Sequence, residues 1–454
     1  MKIKTDFILL MPVFFSGTCQ ALDWYYSPSM TVNERYTDNL RLQIAPPTPS
    51  GNFITTVSPA LTGGYIDSNN EFYGNFNWNQ LLYHNDPNLD FSEKIGKLFY
   101  QYTGERWSAN FTGTYGDQAS LAAESVQLGA FGSGVIGIQV ARYSRFFAPS
   151  MTYKLDEKNS LQLSGSYMDT NFGAHPISGL GFSGFISKGL SLTGSHVYSE
   201  KLSFNVSGSY SGYSAKNNVP EIGAIADLNE PPTCALTQTA CIYDETLAYR
   251  SNSDTYSLQM GMNYAFTETM ALNLSVGARR TNSNTSEVLS NRTVIDGFIV
   301  EPPSPQLSTF TSTINGQNYS GSFSKTFEKG GFSINASQQL SPASTGTQQQ
   351  VTQFSLSGNY GLSERWSSGF MGTYLTSDTI STLGIGGASS NPAAYNRIYV
   401  TLAPNIKWQW TPDLTAQLTY TYINQEFTLS HADAYANSLQ LQFVYQPILN
   451  RQVK

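Results

Sequence analysis

Charge, histidine and cysteine are all scarce in this chain. Of its 454 residues only 13 % are charged, with 25 Lys and Arg against 32 Asp and Glu, a net charge of −7. That balance argues against a nucleic-acid binder, whose affinity comes from neutralising phosphates. Three cysteines are too few for a disulfide-built scaffold. Four histidines, at 84, 175, 196 and 431, form no pair at metal-ligand spacing and join no serine–carboxylate pattern, so neither a metal site nor a catalytic triad is expected. No nucleotide-binding motif is present and no cofactor is implied. Beyond the first twenty-odd residues, no stretch approaches the roughly 18 unbroken apolar residues of a membrane-spanning helix. Aromatics, by contrast, make up 13 % and glycines number 38. A disordered chain would normally be poorer in aromatics and richer in charge.

The first 21 residues carry a positive start (MKIK), a short apolar run (FILLMPVFFSG) and a small residue at the end of CQA. This order predicts a cleaved secretory signal over residues 1–21. Lipidation of Cys19 is the alternative, weakened by Thr18 where a smaller residue is usual. Export leaves Cys234 and Cys241, in the stretch CALTQTAC, with one local disulfide expected and two free thiols as the alternative.

A short phrase then recurs: SLQLSGSY at 160–167, SFNVSGSY at 203–210, SANFTGTY at 108–115, QFSLSGNY at 353–360. In the first, Leu161, Leu163, Gly165 and Tyr167 share one parity, and Ser160, Gln162, Ser164 and Ser166 the other. Side chains alternate faces along a strand, so one face is apolar and the other carries hydroxyls and amides. Residues 270–278 and 414–422 repeat the pattern, and helical spacing fits none of these stretches. A soluble sandwich would also alternate. Three features favour a transmembrane antiparallel β-barrel. The strands are long, often ten to sixteen residues, against about five or six in soluble sheets. Aromatics gather at strand ends, Tyr115, Tyr167, Tyr210, Tyr374 and Tyr422 on one set and Tyr153, Tyr264, Tyr360 and Trp408 on the other, as interfacial girdles do.

The third feature is asymmetry of the connections. Short turns fall at Asp67–Asn70, Gly104–Glu105, Asp156–Asn159, Ser199–Lys201, Thr267–Thr269, Glu328–Gly330, Ser363–Glu364 and Thr411–Asp413. Longer links fall at about 43–52, 84–95, 116–138, 171–182, 214–250, 284–316, 342–349, 379–393 and 428–436. Eight short plus nine long connections give seventeen, hence eighteen strands, with short periplasmic turns and long extracellular loops. The reading is a signal over 1–21, a barrel over 22–447 and a tail over 448–454, with 120–131 as a candidate nineteenth strand left inside a loop. The barrel is placed in the outer membrane, in contact with its lipid and lipopolysaccharide.

Barrels of this size leave a water-filled bore unless something plugs it. No folded plug precedes the first strand, which begins near Trp24; the 116–138 link is the candidate for obstruction, with a surface loop as the plainer reading. Parity puts Arg142, Gln162, Asn205, Gln259, Asn263, Arg279, Arg397, Tyr399, Lys407 and Gln417 on the lumen side. This lining suits a hydrated, uncharged or mildly anionic solute and lacks the like-charge rings of a sharply ion-selective pore. Catalysis is not expected.

The segment DWYYSPSMTVNERYTDNLRL, through Trp24, Pro28, Glu34, Tyr36, Thr37, Asp38 and Asn39, resembles the opening of outer-membrane barrels associated with the PEP-CTERM/exosortase system. The phrases SPAL at 58–61, APSM at 148–151 and APNI at 403–406 are similar in style. The resemblance covers about residues 22–66, and it implies exopolysaccharide passage assisted by periplasmic export machinery. A general diffusion porin, or a surface-interaction barrel with a blocked bore, are the alternatives. The last strand alternates Leu439, Leu441, Phe443 and Tyr445 and is followed by QPILNRQVK, a departure from barrels that end on an aromatic residue.

Overall fold

The computed structural model describes residues 23–44, 51–120, 139–173, 183–218, 240–295, 298–299, 304–342, 348–380, 396–428 and 431–447. The signal segment, the 448–454 tail, Cys234, His175 and most of the 116–138 link lie outside the described residues, as does the side chain of Cys241. The expected disulfide therefore lies outside them too.

The strands are β1 (Asp23–Thr37), β2 (Asn52–Ile66), β3 (Asn70–Tyr83), β4 (Phe91–Thr103), β5 (Trp107–Ala119), β6 (Ala141–Lys154), β7 (Asn159–Phe172), β8 (Gly184–Ser199), β9 (Leu202–Asn218) and β10 (Ala240–Thr267). They continue with β11 (Met270–Ile295), β12 (Phe298–Ile299), β13 (Ser304–Phe327), β14 (Gly330–Pro342), β15 (Gln348–Gly361), β16 (Trp366–Thr379), β17 (Arg397–Gln409), β18 (Leu414–Phe427) and β19 (Ala432–Tyr445). All belong to one antiparallel sheet, closed by β1 against β19 from Met30–Tyr445 to Thr37–Ser438. The two-residue β12 pairs only with the end of β11, so eighteen strands build the wall. Closure removes the edges that an open sheet would expose.

The sequence alternation explains the wall. In β7, Leu161 and Leu163 face out, Leu163 with 48 % exposure, while Ser164 turns inward and shares a 2.6 Å hydrogen bond with Ser191 of β8. Leu190, Leu192, Val206, Leu258, Met260, Leu274 and Val276 extend the outward apolar surface around the sheet. Water solvates such a belt poorly; hydrocarbon does not. Fourteen residues at about 3.3 Å each, tilted by roughly 40°, cross about 35 Å, enough for a bilayer core of about 25–30 Å. Aromatics bracket the belt. At the end bearing the short turns, Trp366, Trp408 and Trp410 stack at 5.5 and 5.2 Å, and Trp107 meets Tyr153 at 4.4 Å. At the other end Tyr36 meets Phe53 at 4.8 Å and Tyr210 meets Tyr256 at 5.4 Å.

Several expected loop boundaries move. β5 runs to Ala119 rather than ending near Tyr115. Residues 214–218 and 240–250, and most of 284–316, are strand: β9 reaches Asn218, while β10, β11 and β13 are 28, 26 and 24 residues long. These three rise beyond the apolar belt as one polar arm, rich in Ser, Thr and Asn. Outside lipid neither face of a strand needs to be apolar, so the alternation that marks a crossing fades there while the ladder continues.

Candidate functional site in the barrel lumen

The inner wall is built from rows of register partners, which share a face. One row runs Gln162, Thr193, Ser207, Gln259 across β7 to β10. A second holds Ser195 and Asn205, then Gly261, Ser275 and Ser320. A third holds Asn263, Asn273, Ser322, Asn335 and Ser355. All of these but Gly261 and Ser355 line an open cavity of about 570 Å³ whose surface is mainly hydroxyl and amide, with Leu274 and Ala336 contributing apolar area. Neighbours in these rows hydrogen-bond to one another, as Asn263 Nδ2 to Ser203 Oγ at 3.2 Å and Asn273 Nδ2 to Ser322 Oγ at 3.0 Å, while Ser275 and Ser320 share one at 2.8 Å. Gly261 gives the track its flatness, since a Cβ there would stand 2.5 Å from the Asn205 amide oxygen.

Of the residues that parity assigned to the lumen, Gln162, Asn205, Gln259 and Asn263 meet in this cavity. Lys407 and Gln417 are register partners on the opposite wall, towards the short-turn end, with Lys407 exposed. Arg397 and Tyr399 lie higher on β17 and are nearly covered, the guanidinium 5.4 Å from the Tyr399 ring centre. Arg142 is likewise covered near the outer end of β6. Arg279 belongs to the polar arm and is described below. Sequence reading missed Lys97, which shares the inward row of Asn75 and Thr114 and is exposed there.

On the opposite side of the outer bore an apolar cluster stands beside a cavity of about 430 Å³ lined by Leu40, Leu42, Thr373 and Thr421. After β1 the chain turns inward: Leu42 packs with Ile54, Leu81, Tyr83, Leu375, Tyr399 and Ala434, all on inward faces, and Leu89 joins them from the Pro87–Leu89 turn. Asn39 fastens the segment, its Nδ2 donating to the carbonyls of Gln43 and Tyr435 at 3.0 Å each and its Oδ1 accepting from the Gln43 amide at 2.9 Å. Arg41 pairs with Asp86 at 3.0 Å, tying the first link to the second. The described ends of the 116–138 link reach the same cluster, with Gln139 Nε2 donating to the Leu89 carbonyl at 2.6 Å, beside the inward turn of the first link. The signal for it, Leu40 and Leu42 in an otherwise polar stretch, reads equally as a strand end.

A second grouping missed by sequence stands on the outward face. Thr55 Oγ1 donates to Glu34 Oε2 at 2.5 Å and lies 2.7 Å from His84 Nε2. The carboxylate here accepts the hydroxyl's hydrogen bond and stands 3.9 Å from the same imidazole nitrogen. A hydrolytic relay instead needs the acid on the far nitrogen of the ring. The described residues hold no group of three or more His, Cys, Asp or Glu suited to a metal ion.

No protein-family model and no curated protein matches the chain. Among solved structures it is similar to the ferric-catecholate import receptor Fiu of E. coli K12, at 9 % identity, TM-score 0.47, over 93 % of this chain and 82 % of that one. It is also similar to Pseudomonas aeruginosa OpdO, at 9 % identity, TM-score 0.41, over 94 % and 98 %. A loop-deletion form of OmpT, an outer membrane protein of Vibrio cholerae, matches at 8 % identity, TM-score 0.36, over 94 % and 100 %. The fold itself rests on the chain's own strand pairing, which makes it a closed antiparallel barrel with an apolar outside and a polar bore.

Proposed function

We propose that the protein is an outer-membrane channel through which an exopolysaccharide leaves the cell along the polar wall of β7 to β15. The observation carrying this reading is the hydroxyl and amide track of about 570 Å³, lined by Gln162, Asn205, Gln259 and Asn263. Each exchange of a sugar–water hydrogen bond for a sugar–protein one is worth only about 0.5–1.5 kcal/mol net. Repeated along a wall, such contacts wet a polymer without holding it. Exposed Lys97 and Lys407 add a mild preference for acidic sugars. The driving force belongs to synthesis and to periplasmic partners, and the belt sits in outer-membrane lipid and lipopolysaccharide. The resemblance of residues 22–66 to exopolysaccharide-linked barrels points the same way.

The test is deletion of the gene in its host, with cell-surface and periplasmic polysaccharide measured separately. Loss at the surface with accumulation in the periplasm is expected. Unchanged surface polysaccharide overturns the export reading and leaves a diffusion porin, which the same neutral lining would serve.

A further inference from the structure

The wall overlaps itself at one place. The β13–β14 ladder stops at Tyr319–Gln338, although β14 runs on to Pro342 and β13 begins at Ser304. Beyond that point β13 stays with β11, and β14 with β15. The two pieces then meet face to face instead of edge to edge. Ser253 and Arg279 lie on the inward faces of β10 and β11; Gln348 and Gln350 share the outward parity of Phe354 and Leu356 on β15. Yet Ser253 Oγ donates to Gln348 Oε1 at 2.7 Å, and Arg279 donates to Gln350 Oε1 at 2.5 Å. The arm of β10, β11 and β13 therefore lies outside the β14–β15 tip, like one shingle over another.

Arg279 is the fastener. Its guanidinium also donates to the Gln317 carbonyl at 3.2 Å and to Asn318 Oδ1 at 2.8 Å. It crosses β13 over Gly316, where a Cβ would stand 2.8 Å from Nε, so only glycine leaves the passage open. The rest of the covered face is hydroxyl: Thr255 and Thr281 share a hydrogen bond of 3.0 Å, Ser251 and Thr285 one of 3.4 Å. Every acceptor that Arg279 reaches here is neutral, so no ion pair locks it. A joint of this kind can part at the cost of a few side-chain hydrogen bonds that water replaces. Parting an ordinary ladder would expose a row of backbone groups. The opposite side of the mouth is the reverse case, fixed by the apolar cluster around Leu42.

We infer that this lap joint is the moving part of the outer mouth: it slides open at the Arg279 clasp and sets the size of polymer the channel passes. The inference rests on the channel reading above. In a background with Cys19, Cys234 and Cys241 each changed to Ser, Thr281→Cys places a thiol under the overlap, where Thr281 is 1 % exposed. A membrane-impermeant maleimide reports its uncovering in the reconstituted full chain, whatever the channel carries. Arg279→Ala should speed labelling at least tenfold, whereas Leu42→Ala across the mouth should leave it unchanged. Separately, Ser253→Cys with Gln348→Cys, bridged by a short bis-methanethiosulfonate that forms a disulfide with each thiol and releases methanesulfinate, pins the joint. The pinned barrel should pass glucose as before and exclude dextran fractions that the unpinned barrel admits. Equal labelling with and without Arg279, or one dextran limit for both barrels, overturns the inference while glucose passage leaves the channel reading standing. Failure of every sugar in every state instead overturns the channel reading, and the size limit with it.

Discussion

Asp38 and Asn437, 399 residues apart, close the barrel by gripping each other at three points. The Asn437 amide donates to Asp38 Oδ1 at 2.7 Å, its side-chain Nδ2 donates to Oδ2 at 2.8 Å, and the Asp38 amide donates to the Asn437 carbonyl at 3.1 Å. The grip sits just past Thr37–Ser438, the last paired position of β1 and β19, where the first link bends into the bore. Asp38→Ala should cost roughly 1.5–3 kcal/mol, the range for hydrogen bonds to a charged group. The check is the urea midpoint of refolded protein; an unchanged midpoint would show that the Leu42 cluster alone holds the segment.

Adjacent residues test which way the wall faces. Leu163 points to lipid and Ser164 to the bore. Leu163→Arg should cost about 2–4 kcal/mol near mid-membrane and impair insertion. Ser164→Arg should insert and narrow the channel. Folding yield into vesicles, followed by conductance, separates the two; equal damage from both would contradict the assigned faces.

The bore's charge makes a third case. Lys97 and Lys407 are exposed on inward faces, whereas Arg142 and Arg397 are covered. Lys97→Glu with Lys407→Glu should move the reversal potential in a salt gradient towards cation preference while the barrel still folds. Arg142→Glu or Arg397→Glu should lower stability before selectivity changes, since a buried charge is exchanged for its opposite. Unmoved reversal potential in the double lysine variant would take both side chains out of the conducting path.

Two short turns give the protein an acid-sensitive element. Around Asp67, desolvation raises the carboxyl's pKa, but hydrogen bonds from the Asn69 and Asn70 amides and the Asn70 side chain outweigh it and hold it below the usual range. At Asp156 the Asn159 side chain, then the Lys158 and Asn159 amides, do the same. A carboxyl whose folded pKa is depressed adds stability above its unfolded value, about 3.9. That contribution is lost as pH falls through the lower folded value. Asp67→Ala and Asp156→Ala should therefore lower the unfolding midpoint at pH 7 and flatten its decline below about pH 4. A parallel decline in wild type and variants would show that these turns do not contribute.

Much of the barrel could be read from alternation alone, because lipid forces it. Residues such as Leu161 and Leu163 must be apolar wherever a strand faces hydrocarbon, and the partners Gln162 and Ser164 must be polar wherever it faces water. The polar arm escaped that reading for the same reason. Near Thr281 and Thr313 both faces meet polar surroundings, so the period of two survives in the backbone but not in hydropathy. Long-range effects were equally silent. Nothing local in LQI told Leu42 from the end of a strand, and nothing around Gln350 marked it as the acceptor for Arg279, 71 residues earlier. Glu34, Thr55 and His84 meet through strand register, which spacing in the chain does not reveal.

The central claim, an open polar bore that accommodates a sugar polymer, is tested most directly by single-channel conductance of the refolded protein in a planar bilayer. The recording is made with and without fragments of the host's own exopolysaccharide. Steady conductance interrupted by those fragments and not by unrelated sugars is expected. Conductance indifferent to them would contradict the polymer claim, and a folded barrel that conducts nothing would contradict the open bore itself.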